Sequence, residues 1–253
     1  DDRLRNESRE RGVPIDTLRT KVLIERLLAR LFADPRAPWL LKGGYAFELR
    51  YRPRARVTRD IDLSVTSADD RSLSVRLEDV RNELLAAAEL ELGDFLRFEI
   101  AAPRGLLQGP PEGGGTFPVI VRLAGKEYGR FSIDVGFGDA LVGSPEELVG
   151  DDLLSFADLR PARVLAIPRA QQFAEKVHAY TLPWTDRENT RVKDLVDMLI
   201  LIESGDLDRA ELRTALHATF ETRERQGLPR ALPAPPASWE LEFRVLTGEV
   251  GIV

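Results

Sequence analysis

The chain of 253 residues carries 36 lysines and arginines against 42 aspartates and glutamates, a formal net charge of −6. With 43% hydrophobic and 31% charged residues, it has the composition of a globular protein rather than a disordered one. Its longest apolar stretch, at 198–202, excludes a membrane-spanning helix, which needs roughly 20 such residues. The absence of cysteine excludes a disulfide framework and a thiolate metal site. It is compatible with a reducing cytosol, and we expect a cytoplasmic protein with no membrane partner.

Charge is distributed unevenly along the chain. Residues 1–59 carry a net charge of +7 and the remaining 194 residues carry −13. Between residues 42 and 59, Glu48 is the one acidic residue among six basic ones: Lys42, Arg50, Arg52, Arg54, Arg56 and Arg59. This asymmetry indicates an anion-binding face, although a solvated loop can have the same composition. The overall negative charge therefore does not exclude a nucleic acid as a partner.

The first 160 residues predict a mixture of helices and strands. Apolar residues at helical spacing favour helices over 15–32 and 72–92, and a short helix is expected over 46–51. Alternating polar and apolar residues favour a half-buried strand over 60–65. Further strands are expected at 39–41, 95–100, 117–123 and 130–136. The segment 103–116, which is rich in glycine and proline, is expected to be a loop.

Helices predominate after about residue 160. They are expected over 169–180, 190–203 and 208–225, whereas the segment around Trp239 fits either a helix or a strand. The predicted fold class is therefore α/β (α+β). An N-terminal domain over 1–160 has a mixed sheet flanked by helices, and a mostly helical C-terminal domain covers 161–253. We expect a cleft between the two.

Acidic residues on two of the predicted strands indicate a metal site. Asp60 and Asp62 point to the same face of their strand, roughly 6–7 Å apart at the backbone. Such a pair repels unless a cation lies between its members, and Mg²⁺ favours carboxylates together with phosphate oxygens. Asp134 supplies a third acid on a later strand. Upstream, Gly43-Gly44 separates a strand from a helix, so that backbone N–H groups would face an anion.

This order of glycine pair, alternating acids and later acid resembles that of the DNA polymerase β-like nucleotidyltransferases. Within that superfamily the chain is similar to the AbiEii/AbiGii toxin family. Four segments carry the likeness: 41–47, 56–63, 173–176 and 191–197. The resemblance spans about residues 40–200. It implies a toxin that acts on nucleotides.

The resemblance also implies roles for individual residues. The expected catalytic residues are Asp60, Asp62, Asp134, Lys176 and Asp194. The expected nucleotide-binding residues are Lys42, Gly43, Gly44, Lys176 and Arg191. Asp60, Asp62 and Asp134 are expected to hold two Mg²⁺ ions. The arginines at 50, 52, 54, 56 and 59 are expected to bind the phosphates of an RNA.

Neighbouring charged residues have simpler interpretations. Lys176 and Asp194 lie off the apolar stripes of their helices, where they can face a cleft. Lys193 and Asp197, four positions apart, are expected to form a pair on the helix surface. Asp139 follows a strand in a glycine-containing turn and is expected to serve that turn.

The function implied by the resemblance is transfer of NMP from an NTP to the 3′-hydroxyl of an RNA. The expected acceptor is the tRNA acceptor end, so that translation is blocked. The expected partners are tRNA or another RNA 3′ end, an NTP and a separate cognate antitoxin. Two alternatives remain open: transfer to a hydroxyl of a small molecule or a protein, and a non-catalytic nucleotide-binding module.

Overall fold

A computed structural model of the chain describes residues 2–55, 58–66, 69–107, 109, 111–183 and 188–252. Within these residues the helices are α1 (Asp2–Arg11), α2 (Ile15–Leu31), α3 (Gly43–Tyr51), α4 (Leu73–Ala88), α5 (Arg169–Thr181), α6 (Val192–Glu203), α7 (Arg209–Arg223) and α8 (Glu240–Val250). The strands are β1 (Trp39–Lys42), β2 (Asp60–Val65), β3 (Leu96–Ile100), β4 (Arg104–Leu106), β5 (Gly114–Leu123), β6 (Lys126–Phe137), β7 (Glu146–Val149) and β8 (Arg163–Ala166). The predicted fold class is confirmed.

The strands form one mixed sheet in the order β3-β5-β6-β2-β1-β8-β7, and β4 pairs with β5 at the edge. β2 runs parallel to β6 and antiparallel to β1. The register places Lys42 opposite Asp62, and Asp62 opposite Asp134. Because paired residues project to the same face of a sheet, these three side chains form one row across three adjacent strands.

The alternation along β2 decides which face of the sheet is buried. Ile61 and Leu63 are fully buried in the main core, which α2 and α4 cover with Leu27, Leu28 and Leu84. Asp60 and Asp62 consequently project from the opposite face. The periodicity of two that predicted the strand thus also separates the core from the acids.

A second core lies between the helices of the C-terminal half. Phe173 and Val177 of α5 pack in it with Val196 of α6 and with Trp239. Trp239 ends a short 3₁₀ turn that leads into α8, so the helical alternative for this segment is correct. Phe47 of α3 belongs to the same core and joins the sheet half to the helical half.

The prediction of a loop over 103–116 was wrong at both of its ends. β4 begins at Arg104, and β5 begins at Gly114, opposite Gly136 of β6. A Cβ atom at Gly114 would overlap the carbonyl oxygen of Val135, so the glycine permits a close approach of the two strands. From the composition alone, this glycine counts as evidence for a loop.

The strands β7 and β8 were not predicted. Each has four residues, and β8 pairs in parallel with β1, so the sheet extends past residue 160. The division of the chain at 160/161 stays a prediction, and α5 begins three residues after β8. No helix of the described residues is long and apolar enough to cross a membrane.

Candidate active site

Three carboxylates share the exposed face of the sheet at β2 and β6. Burial is the main cause that raises the pKa of Asp62, and the charges of Asp134 and Asp60 add to it, while Lys42 and the N–H of Gly44 oppose them; the resulting pKa is about 6. The pKa of Asp134 is also raised, by burial and by Asp60, although a hydrogen bond with Thr116 lowers it. Asp60 is exposed and accepts a hydrogen bond from Ser132 Oγ at 2.9 Å. The three acids therefore repel one another, and a bound cation would relieve that repulsion.

The fit of these acids to a metal ion rests on their chemistry. Asp134 Oδ1 is buried and has no hydrogen-bond partner in the described part of the chain. Hard oxygen ligands of this kind are those that Mg²⁺ prefers. Within the described residues, however, no group of three His, Cys, Asp or Glu side chains already surrounds one point closely enough to hold a metal. The residues present fit a cation that draws the carboxylates together.

The glycine turn lies directly against Asp62. Gly43 begins α3 with a φ of +63°, and a Cβ atom there would overlap the Asp62 carboxylate. The backbone N–H of Gly44 donates to that carboxylate. The carbonyl oxygen of Gly43 accepts a hydrogen bond from Gln172 Nε2 of α5 at 2.8 Å. Glycine is required at 43 both by the left-handed backbone and by the space that Asp62 occupies.

Lys176 of α5 is held by two acids of α6. Its Nζ lies 2.6 Å from Asp197 Oδ2 and 3.2 Å from Asp194 Oδ1, both on α6. Arg191 Nη1 lies 3.5 Å from Asp194 Oδ2. The prediction that Asp197 forms a surface pair with Lys193 was wrong, because the Asp197 side chain is 1% exposed and faces Lys176. The structure thus adds Asp197 to the candidate site.

A second ionic cluster lies beside the row of acids. Lys42 Nζ is 2.6 Å from Asp139 Oδ2, and Arg223 Nη2 is 2.7 Å from Asp139 Oδ1. Arg223 also approaches Glu175 Oε2 at 3.3 Å. Burial raises the pKa of Asp139, but the charges of Lys42 and Arg223 outweigh that effect and lower it. Asp139 therefore joins β1 to the end of α7 and does more than serve a turn.

These groups converge on one cleft of about 380 Å³ between the sheet and α5–α7. Seven of the predicted site residues line it: Lys42, Gly43, Asp62, Asp134, Lys176, Arg191 and Asp194. Among the lining residues that were not predicted, three have polar or charged side chains: Gln172, Glu175 and Arg223. Gly44 adjoins the cleft through Asp62, to which its N–H donates, and Asp60 lies on β2 two residues before Asp62. Glu175 adjoins Lys176 in a motif already recognised, whereas nothing local in the sequence marks Arg223.

The predicted arginine stripe is divided by the fold. The side chain of Arg50 is 1% exposed and donates to Gln172 Oε1 at 2.5 Å and to the carbonyl oxygen of Ile167. It supports the protein interior and does not face solvent. Arg52 and Arg54 are partly exposed and pair with Asp151 and Glu203, at 3.2 Å and 2.5 Å. Arg59 is exposed, and Arg56 lies outside the described residues.

A search of solved structures found chains that resemble this one. MenT4, a nucleotidyltransferase toxin from Mycobacterium tuberculosis H37Rv, superposes with a TM-score of 0.60 at 17% identity, over 94% of this chain and 85% of that one. A putative nucleotidyltransferase from H. pylori gives 0.48 at 14% identity, over 95% and 93%. The antibiotic-resistance factor ANT(2'')-Ia gives 0.42 at 19% identity, over 81% and 94%. At these identities the likeness to MenT4 establishes the fold alone.

Sequence comparison identifies the family. A search of curated proteins found no match. The family model of the nucleotidyl transferase AbiEii toxin, of type IV toxin–antitoxin systems, matches residues 26–247. That range includes both halves of the cleft, from the glycine turn to the end of α7. The chain therefore belongs to the AbiEii nucleotidyltransferase toxin family.

Proposed function

We propose that the protein transfers NMP from an NTP to the 3′-hydroxyl of an RNA, at the acceptor end of tRNA, and so blocks translation. The observation that carries this proposal is the row of Lys42, Asp62 and Asp134, which shares one cleft with Lys176. In the proposed reaction, the hydroxyl oxygen forms a bond to the α-phosphorus. The bond from that phosphorus to the bridging oxygen breaks, and pyrophosphate leaves.

Asp60, Asp62 and Asp134 are the residues proposed to hold Mg²⁺, as two ions. The metal would supply positive charge beside the reacting phosphate. Asp134 has a buried, unpartnered oxygen among the described residues and a raised pKa. We assign the proton of the attacking hydroxyl to the Asp134 carboxylate, which acts as the general base beside the metal.

The helical half is proposed to bind the triphosphate. Lys176 supplies a positive charge, and Asp194 and Asp197 fix the position of its ammonium group through contacts of 3.2 Å and 2.6 Å. Arg191, 3.5 Å from Asp194, supplies a second charge at the same wall of the cleft. Gly43 and Gly44 are proposed to belong to the same nucleotide site: the missing side chain at Gly43 leaves room for the Asp62 carboxylate, to which the N–H of Gly44 donates.

The acceptor is proposed to bind through the partly exposed arginines. Arg52, Arg54 and Arg59 keep this role, whereas the enclosed Arg50 does not. Phosphate contacts of this type position a nucleic acid without reading its sequence. The family also implies a separate antitoxin protein as the partner that restrains the activity.

The proposal is tested by incubating the protein with each labelled NTP in the presence of Mg²⁺ and total RNA. We expect label at RNA 3′ ends, which sequencing of those ends assigns to tRNA. The Asp62→Asn variant is expected to give no label, and Asp16→Asn, the same change at an exposed helix residue, full label. Parallel reactions with protein and with an aminoglycoside test the alternative acceptors. Label there, or in no acceptor, contradicts the proposal.

A further inference from the structure

In the cluster of Lys42, Asp139, Glu175 and Arg223, α7 and the segment after β6 contribute two residues that lie outside the family motifs, Arg223 and Asp139. The cluster joins β1 and the segment after β6 to α5 and α7, on the wall of the candidate active site. The side chains of Lys42 and Arg223 are 12% and 11% exposed, and both line the cleft. Two cations placed this close in a partly buried site repel one another unless an acid lies between them.

Asp139 lies between the two cations and contacts each of them with one carboxylate oxygen. Oδ2 faces Lys42 and Oδ1 accepts from Nε and Nη2 of Arg223, at 3.0 Å and 2.7 Å. The carboxylate is 3% exposed, so it is enclosed by its two partners. The free protein therefore already holds both cations at the cleft wall, and no reorganisation is needed when an anion arrives.

Arg223 retains a donor that is directed to neither acid. Its contacts with Asp139 and Glu175 use Nε and Nη2, and Nη1 has no hydrogen-bond partner in the described part of the chain. The guanidinium presents its donors as a planar fork that matches phosphate oxygens. Arg223 is at the end of α7, and Lys42 adjoins the Gly43 turn.

We infer that Arg223 binds the triphosphate of the nucleotide together with Lys42, and that Asp139 is the residue that positions both cations. This inference rests on the proposed function. It extends the nucleotide site to α7, beyond the glycine turn, Lys176 and Arg191. It also gives Asp139 a role that is separate from the three acids on β2 and β6.

Inorganic tripolyphosphate is the probe, because it carries the phosphates without a base. Calorimetric titration of the full chain is expected to show that Arg223→Gln lowers its affinity about tenfold to hundredfold, which corresponds to one charge-assisted hydrogen bond. Arg213→Gln, an exposed arginine on the same helix, is expected to bind as the wild type does. Equal affinity of Arg223→Gln and wild type overturns the inference.

A second variant keeps the test possible if Arg223→Gln does not fold. Arg223→Lys keeps the charge beside Asp139 but removes the planar fork, and we expect affinity to fall about threefold or more at an unchanged melting temperature. Asp139→Asn is expected to raise KM for the NTP more than it lowers kcat, since it displaces binding groups. Unchanged affinity in Arg223→Lys, or an unchanged KM in Asp139→Asn, contradicts the inference.

The labelling assay and the tripolyphosphate titration together distinguish a failure of the proposed function from a failure of the role of Arg223. Wild-type protein that labels RNA, with an Arg223→Gln variant that binds tripolyphosphate equally well, refutes the role of Arg223 alone. Wild-type protein that neither labels an acceptor nor binds tripolyphosphate refutes the proposed function, and the inference with it.

Discussion

The Asp62 carboxylate occupies the space that the missing side chain of Gly43 leaves open. The carboxylate lies where a side chain at 43 would be, and the turn takes a φ of +63° that favours glycine. One additional methyl group at this turn would therefore displace an acid of the site.

We predict that Gly43→Ala lowers transfer at least a hundredfold, because misplacement of a reacting group by about 1 Å has an effect of that size. Gly93→Ala is the matched control, since Gly93 has a φ of +71° and a Cβ atom added there would have no neighbour within 4 Å. Both variants share the backbone strain of about 1–2 kcal/mol, and only the first is expected to lose activity. Equal initial rates in the labelling assay contradict this assignment.

Asp62 is expected to lower stability while it serves the reaction. Its pKa is about 6 in the folded protein against 3.8 for an ordinary Asp, so the folded state binds the proton more tightly. The ionised carboxylate is therefore destabilising, by an amount that grows between pH 4 and 6 and is constant above. We predict that Asp62→Asn raises the melting temperature at pH 7.5 without divalent ions, and that the difference disappears near pH 4.

Calorimetry with added Mg²⁺ completes this test. We expect Mg²⁺ to raise the melting temperature of the wild type and to have little effect on Asp62→Asn. An equal rise in both proteins would place the metal elsewhere. A variant less stable than wild type at pH 7.5 would contradict the proposed effect of the charge.

At the scale of elements, a buried acid that precedes β3 joins α2 to the edge of the sheet. Asp94, just before β3, accepts hydrogen bonds from Arg26 and Arg30 of α2, each at 2.7 Å. Burial alone would raise the pKa of Asp94, but the two arginines outweigh it and lower the pKa to about 2. The ionised acid therefore stabilises the fold at pH above about 4, and this contribution is lost as pH falls through 2.

We predict that Asp94→Asn lowers the free energy of unfolding at pH 7 by about 3–5 kcal/mol, since it leaves buried arginines without their partner. Urea denaturation followed by circular dichroism measures the change. Asp34→Asn, in an exposed pair with Arg36, is expected to have no measurable effect. A comparable loss in both variants would show that the buried position of Asp94 is unimportant.

The elements that sequence analysis predicted are those with a strong local pattern. The apolar periodicity of α2 and α4, and the alternation of β2, are fixed by residues within one segment. The strands β7 and β8 have four residues each, too short to show a period. β8 pairs with the edge of β1, and β7 in turn pairs with β8, so both depend on a partner that the local sequence does not reveal.

The residues of the candidate site were likewise predictable where they belong to a local sequence pattern. Asp60, Asp62 and the glycine turn are recognisable from spacing alone, and the register of β1, β2 and β6 assembles them. Asp139 and Arg223 were missed because their partners lie 97 and 84 residues away. For the same reason Arg50, placed by its neighbours in an exposed run, is in fact enclosed by Glu146 and Gln172.

At the scale of the whole molecule, the net charge of −6 gives little indication of the partner. Acids at the sheet face are balanced locally by Lys42, and those on α6 by Lys176. The proposed RNA surface therefore depends on which arginines reach solvent rather than on the sum of charges.

We predict that RNA binding weakens steeply with salt and that Arg59→Gln reduces the slope of log affinity against log salt by about 0.7–0.9, the value for one lost phosphate contact. Arg50→Gln is expected instead to lower thermal stability, because its guanidinium is internal. Filter binding at several salt concentrations and calorimetry distinguish the two effects. An unchanged slope in Arg59→Gln would remove this residue from the RNA surface.

The cleft draws its side chains from distant parts of the sequence, from Lys42 to Arg223. During synthesis, the last helix of the site emerges some 89 residues after Asp134, which takes about 4–18 s at 5–20 residues per second. A growing chain therefore carries the acids of the sheet without the lysine and arginine that face them. The site is therefore incomplete until α7 has been synthesised, and the proposed transfer cannot begin before then.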